Sequence, residues 1–95
     1  MSRHRAAVVA GRGCVTGVVG DDIVVLPNMH PSHAMAVMQA RGVVAEVGGA
    51  LAHLAVVCRE MGTTMMVLPD ACTTLTPGMR VTLDPARCEI LVLDR

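Results

Sequence analysis

The stretch Val47-Gly48-Gly49-Ala50-Leu51-Ala52-His53-Leu54-Ala55-Val56-Val57-Cys58-Arg59-Glu60-Met61-Gly62 decides how the rest of the chain is read. An apolar, β-branched segment, Val43 to Val47, empties into Gly48-Gly49, and a histidine stands where the next segment begins. Leu54, Val57, Cys58 and Met61 fall at i, i+3, i+4 and i+7. That spacing is the core stripe of a helix. A helix is therefore predicted to open at Ala52 or His53 and to close at Gly62. Strand, glycine turn and helix in that order form the repeating unit of an α/β domain.

Working outward, Ile23-Val24-Val25-Leu26 is a continuous apolar run of the kind buried on both faces of a sheet. Pro27 and Pro31 frame a loop holding Asn28, Met29 and His30. A first helix is predicted from Pro31-Ser32, with Ser32 as its cap, through Ala34 to Ala40. Gly42 is its expected left-handed stop. Beyond Gly62, Met65 to Leu68 reads as a strand ended by Pro69-Asp70, and Thr73 to Thr76 as a loop. Pro77-Gly78 marks a turn before a strand at Arg80 to Leu83, and Asp84-Pro85-Ala86-Arg87 links it to the last strand, Glu89 to Leu93. At the other end, Ala6 to Ala10 and Val15 to Val19 are strands separated by Gly11-Arg12-Gly13. Strand, helix, strand, helix, strand with hairpin-like strands at both ends predicts one small α/β domain over residues 1–95.

Composition narrows the functions open to such a domain. The 95 residues carry 8 basic and 8 acidic side chains, and every basic one is arginine. Zero net charge argues against non-specific nucleic-acid binding, which needs a cationic excess to displace counterions. A hydrophobic fraction of 53% with only 17% charged residues argues against disorder. There is no Phe, Tyr or Trp, so base-stacking platforms and aromatic cages are excluded, and the core must be aliphatic and methionine-rich. No apolar run approaches the ~20 residues a membrane helix needs. Arg3, Arg5 and Ala6 to Ala10 begin like a leader, but Gly11-Arg12-Gly13 interrupts it. A cytoplasmic location is expected. Cys14, Cys58, Cys72 and Cys88 form no closely spaced pair of the sort zinc requires, so most are expected to be small buried hydrophobes.

The chemistry concentrates at His53. Glycines let a backbone approach a bound group closely. A helix N-terminus exposes unpaired N–H groups and about half a positive charge. Together they welcome an anion. An imidazole there can be phosphorylated, with its oxygens facing backbone donors, and the helix dipole favours the neutral, nucleophilic ring. The same features also describe a tight turn with a capping histidine. Arg59, six residues on, points to a different face and reaches a phosphate at His53 only if the loop folds back over it. Glu60 is expected to be solvated. His4 is expected to lie solvated in a basic tail. His30 and His33 share a rim with His53 if the strand-to-helix loops leave one edge of the sheet, and with Cys58 they form a conceivable soft-metal set. Met35 with Met38 and Met65 with Met66 read as packing residues rather than metal ligands.

The wording of the segment resembles the mobile phosphohistidine, or swivelling, domain shared by phosphoenolpyruvate synthase, pyruvate phosphate dikinase and enzyme I of the sugar phosphotransferase system. That family's signature is Gly-Gly-x-(Thr or Leu)-(Ser or Cys)-His, a small residue, Ala, two aliphatics, Ala or Cys, Arg, Glu, x, Gly, Ile, Pro. Gly48, Gly49, His53, Ala55, Val56, Val57, Cys58, Arg59, Glu60 and Gly62 match it in register. Ile23 to Pro27 with Pro31 resembles the family's strand and Thr-Thr-Pro loop, Ala40 to Val44 its Ala-x-Gly-Ile-Val stretch, and Pro77-Gly78 with Val81 to Asp84 its Gly-x-x-Val-x-Val-Asp. The chain departs from the pattern at Leu51-Ala52 before the histidine, at Thr63-Thr64 in place of Ile-Pro, and at Met29-His30 in place of Thr-Thr.

The resemblance implies a β/β/α swivelling fold and a phosphoryl carrier. His53 takes the catalytic position, Gly48, Gly49 and Arg59 are the phosphate-binding candidates, and no metal ligand is expected. It implies that this chain binds no cofactor and that magnesium belongs to partner domains. The chain is too short to hold a nucleotide fold or a phosphoenolpyruvate barrel as well, and without lysine it has no Gly-x-x-x-x-Gly-Lys loop. A separate nucleotide-binding protein, or an acceptor protein of the phosphoenolpyruvate or pyruvate type, is the expected partner, with neither nucleic acid nor membrane involved. The departures leave a second reading open: a catalytically silent swivelling domain acting as an interaction or substrate-gating subunit.

Overall fold

The computed structural model describes residues 2–49 and 52–94. Its elements are β1 (Ser2–Arg5), β2 (Ala7–Ala10), β3 (Val15–Val18), β4 (Ile23–Leu26), a 3-10 turn (Pro31–His33), α1 (Ala34–Gln39), β5 (Gly42–Ala45), α2 (His53–Met61), β6 (Thr64–Val67), α3 (Ala71–Thr74), β7 (Arg80–Asp84) and β8 (Glu89–Asp94). They make two four-stranded sheets, ordered β1-β8-β7-β3 and β2-β6-β5-β4. The first is antiparallel throughout. In the second, β4, β5 and β6 run parallel and β2 closes one edge antiparallel to β6.

The alternation of side chains along the central strands produces the layering. Val44 of β5 and Met66 of β6 join Ile23, Val81, Leu83 and Ile90 in a core between the two sheets. Their neighbours Val43, Ala45 and Met65 point the other way, into a second core with Val37 of α1 and Leu54, Ala55 and Cys58 of α2. Because both faces are covered, β5 is buried at every residue, as its unbroken apolar run requires. The result is the expected β/β/α domain, with sheet on sheet and helices on the outer face of one.

Gly42 begins β5 and is not the left-handed end of α1, whose cap is Ala40 in an extended conformation. It is small because the sheets meet there: a Cβ on Gly42 comes within 2.7 Å of Leu83 Cδ1 and 3.1 Å of Ile23 Cδ1. Ser32 is not the cap either. The His30 ring takes that place, its Nδ1 accepting from the Ser32 N–H at 3.1 Å. His4 lies in β1, half-buried, paired across to Ile90 and within 3.3 Å of Ser2 Oγ, so it does not sit in a solvated tail. Three of the cysteines, Cys14, Cys72 and Cys88, are exposed, and only Cys58 is a buried hydrophobe. Ala71–Thr74 form the short α3, which takes in Thr73 and Thr74 of the loop expected at Thr73 to Thr76. Met61, expected on the stripe, is 47% exposed, because Leu54, Ala55 and Cys58 carry the contact with the sheet.

Candidate phosphohistidine site

The parallel register of β4, β5 and β6 aligns their last residues, Leu26 with Ala45 and Ala45 with Val67. The loops that follow all leave one rim, the edge at which α/β sheets place their ligand sites. Backbone bonds continue the alignment past the strands: Glu46 N–H donates to Leu26 O and Leu68 N–H to Ala45 O, both at 2.9 Å. Glu46 then reaches sideways, its Oε2 accepting the Cys72 N–H at 2.9 Å at the start of α3. It is the only acid between Asp22 and Glu60, a signal legible in the sequence but without meaning until the third loop is placed beside it.

From that anchor the chain passes exposed Val47 to Gly48, whose φ of +149° is open to glycine and strained for other residues. Gly48 lies directly on the side chain of Met29, which rises from the β4–α1 loop and is 8% exposed. A Cβ there overlaps the Met29 sulfur. Gly49 faces open space and its carbonyl accepts the Ala52 N–H at 3.0 Å. Ala50 and Leu51, the latter one of the departures noted above, lie outside the described residues.

His53 is the first residue of α2 and is exposed. Leu54 and Ala55, both fully buried, and Cys58 fasten the helix beneath it. The N-cap is Ala52 at φ −63°, ψ 147°, and among the described residues no side chain caps the helix. Among the described residues, Val56 N–H is the first in this turn to find a backbone acceptor, Ala52 O at 3.1 Å. The preceding N–H groups point out of the helix end, as in any first turn. Among the described residues no hydrogen bond holds the His53 ring. The geometry thus joins an exposed imidazole to an uncapped helix start behind a glycine loop, an arrangement suited to holding an anion on the ring.

Arg59 lies elsewhere. Its Nη1 donates to Val9 O at 3.3 Å, on the edge strand β2 and toward the C-terminal end of α2. Gly48 and Gly49 therefore share the rim with His53, and Arg59 does not. His30 and His33 leave the same rim as His53, but the His30 ring is engaged as the cap of the 3-10 turn, with Nδ1 also 2.9 Å from Ser32 Oγ. Among the described residues no group of three or more His, Cys, Asp or Glu side chains is placed to hold a metal ion. Cys58 sits beneath α2, where burial pushes its thiol pKa up. No helix among the described residues is long and apolar enough to cross a membrane.

Solved structures share this architecture. A chain of Thermococcus kodakaraensis aconitase X in its holo-form superposes with a TM-score of 0.73 at 12% identity, over 99% of this chain and 100% of that one. A UPF0107 protein solved by solution NMR gives 0.73 at 10% identity, over 98% and 100%. These likenesses show the fold. No curated protein matches the sequence. The family model for the mobile domain of PEP-utilising enzymes matches residues 18–88, from β3 to the β7–β8 turn and across the whole His53 rim. The chain belongs to the PEP-utilising enzyme mobile-domain family.

Proposed function

We propose that this chain is a phosphoryl carrier that accepts a phosphoryl group on His53 and passes it between active sites held by separate proteins. The observation that supports it best is the exposed His53 at the uncapped first turn of α2, behind Gly48-Gly49. A neutral ring nitrogen attacks the phosphorus of ATP or phosphoenolpyruvate. The N–P bond forms as the bond to the leaving nucleotide oxygen or enolate oxygen breaks, and the electron pair leaves with that oxygen. In the second step the acceptor oxygen attacks the same phosphorus and the ring nitrogen departs. The first-turn N–H groups and the helix dipole stabilise the phosphoryl dianion by roughly 0.3–1 kcal/mol, enough to hold it without trapping it. Magnesium, expected for such transfers from the family resemblance, is proposed to be held by the partner. The partner is a nucleotide-binding protein or an acceptor protein of the phosphoenolpyruvate or pyruvate type, and the cytoplasm is the proposed compartment.

A second reading is favoured by the aconitase X likeness, in which a chain of matching extent has this fold as a separate chain. On that reading the domain is a silent subunit that closes or gates a partner's site. One experiment separates the two. Purified protein is incubated in lysate of the source cells with labelled phosphoenolpyruvate, or with β- or γ-labelled ATP. Acid-labile, base-stable label on wild type and none on His53→Ala supports the carrier, and the productive donor names the partner class. No label from any donor, in lysate that phosphorylates a known carrier, overturns it and leaves the subunit reading in front.

A further inference from the structure

The edge strand β1 breaks the pattern of its own sheet. Directly opposed residues of neighbouring antiparallel strands project from the same face. Ser2 stands opposite Val92 and His4 opposite Ile90, and both partners are buried in the core between the sheets. Ser2 and His4 therefore face inward, whereas Arg3 and Arg5, opposite Leu91 and Glu89, face out and are exposed. On β7 and β8 the inner face carries Val81, Leu83, Ile90 and Val92. At β1 it changes to a hydroxyl and an imidazole, both half-buried, with Ser2 Oγ and His4 Nε2 3.3 Å apart.

Polar residues on an edge strand guard against pairing with another chain, but that purpose asks nothing of the surface across from them. Here that surface is polar as well. Ser2 and His4 line a cleft of about 540 Å³ together with Thr73 and Thr74 of α3 and Thr76 of the segment that follows. Met79 and Val92, 7% and 4% exposed, add its apolar part. Among the described residues no Arg, Asp or Glu lines it. The cleft belongs to the layer between the sheets, whereas α2, which carries His53, packs in the outer layer.

That lining selects among ligands. A hydroxyl both donates and accepts hydrogen bonds, and a neutral imidazole has one nitrogen for each role. Four hydroxyls and an imidazole in one cleft match a ligand that carries several hydroxyls of its own. A fully ionised ligand would find no fixed counter-charge there. A purely apolar one would strip water from these groups and replace none of their hydrogen bonds. The C–H surface of a compact polyol is met by Val92 and by Met79, whose thioether adapts its shape. The volume falls in the range of small-molecule sites.

We propose that this cleft is a binding site for a neutral polyhydroxyl compound of monosaccharide size or smaller. The carrier reading plays no part in the inference, and its failure would leave the site untouched.

The test uses the whole chain, isotopically labelled at methionine, valine and histidine. Glycerol, ribose and glucose are titrated in separate arms, beside acetate and inorganic phosphate. The Met79 and Val92 methyl resonances and the His4 ring resonances report on the cleft. Saturable shifts at these residues are expected in at least one polyol arm at roughly millimolar concentration, the range a few solvent-accessible hydrogen bonds supply. Thr74→Val keeps the branched shape of a half-buried residue, removes its hydroxyl and should weaken binding about two- to tenfold. His4→Leu removes both ring nitrogens and should weaken it by roughly tenfold. Shifts that stay linear in every polyol arm overturn the proposal. So do tighter binding of acetate or phosphate, binding unchanged in both variants, and shifts confined to residues outside the cleft. Circular dichroism of each variant separates lost binding from lost folding, and a poorly folded His4→Leu leaves Thr74→Val to decide.

Discussion

The contact between Gly48 and Met29 sets the shape of the loop before His53, and it is testable by a double-mutant cycle. In Gly48→Ala the new Cβ overlaps the Met29 sulfur and lies 2.5 Å from its Cε and 2.7 Å from its Cγ, so the whole side chain must leave its place. Met29 is 8% exposed and packed in the helix-side core, so moving it is an overpacking event of about 1–3 kcal/mol. The φ of +149° adds backbone strain of about 1–2 kcal/mol for a residue with a Cβ. The single variant should therefore lose about 2–5 kcal/mol, and its melting temperature should fall by roughly 8–40 °C for a domain of this size. Met29→Ala alone should cost about 2 kcal/mol, the low end for a buried methionine, because the residue sits at the rim. In the double variant the overlap has gone and only the strain and the lost packing remain. Urea unfolding should then show a coupling of about 1–2 kcal/mol in favour of the pair. Additivity within about 0.5 kcal/mol would refute the claim that Met29 supports the glycine loop. Reaction of His53 with a small phosphoryl donor such as phosphoramidate should fall in Gly48→Ala and partly recover in the double variant.

Thiol chemistry tests the layering: a mild disulfide reagent should modify Cys14, Cys72 and Cys88 in the folded protein and reach Cys58 only on unfolding, whereas fast reaction at Cys58 would contradict its place beneath α2. Burial raises the Cys58 pKa, so the folded chain holds that proton more tightly than the unfolded one. The associated stability is fully present below the ordinary thiol range of about 8.5 and is lost as pH rises through the raised value, so wild type should lose ground to Cys58→Ala in alkaline urea titrations. Thr64→Val removes the 2.7 Å hydrogen bond to Gly13 O at a nearly buried position and should cost about 1–2 kcal/mol, with the Gly11 and Gly13 amide resonances moving most. Ala52→Ser supplies the missing side-chain cap of α2 and should add about 0.5–1 kcal/mol by thermal unfolding; no gain would mean that the first-turn N–H groups already have acceptors.

What the sequence made legible follows from what each residue contacts. The central β-α-β-α-β was readable because its strands bury both faces and so carry unbroken apolar runs, and because α2 ends at Gly62 with φ +75°. β1 was not, because Ser2 to Arg5 lies at a sheet edge and shows polar side chains to solvent while its backbone pairs with β8. α3 escaped because its first turn is tied by Glu46, a residue distant in sequence and near only once β5 and β6 are adjacent. Gly42 misled for a related reason. A glycine after a helical pattern reads as a stop, but the need for it comes from Leu83, across the sheet interface, and from Ile23 on the neighbouring strand β4. At the site, His53, Gly48 and Gly49 were nameable from one contiguous segment and do share a rim. Arg59 belongs to the same segment and still faces another cleft, since a helix disperses residues that sequence keeps together.

The charge pattern of that rim gives the carrier reading a physical consequence. From Pro27 to Ala40 and from Val47 to Cys58 the sequence has no Asp, Glu or Arg, so the helix starts on either side of His53 add no full charge of their own. Met35, Met38, Val47 and Val56 stand exposed on these segments at 74%, 56%, 59% and 37%. A face of that kind adheres by apolar contact, and salt screens such contact very little. If His53 carries a phosphoryl group as proposed, the dianion is by far the largest charge on the face. Its arrival makes burial against an apolar surface costly unless that surface brings cations or donors of its own. The loaded domain is then driven toward a partner site built to receive a phosphoryl group, and the unloaded domain toward the more apolar one. Directional exchange between two partners needs no conformational switch within the domain, since the chemistry at one nitrogen changes which surface fits it.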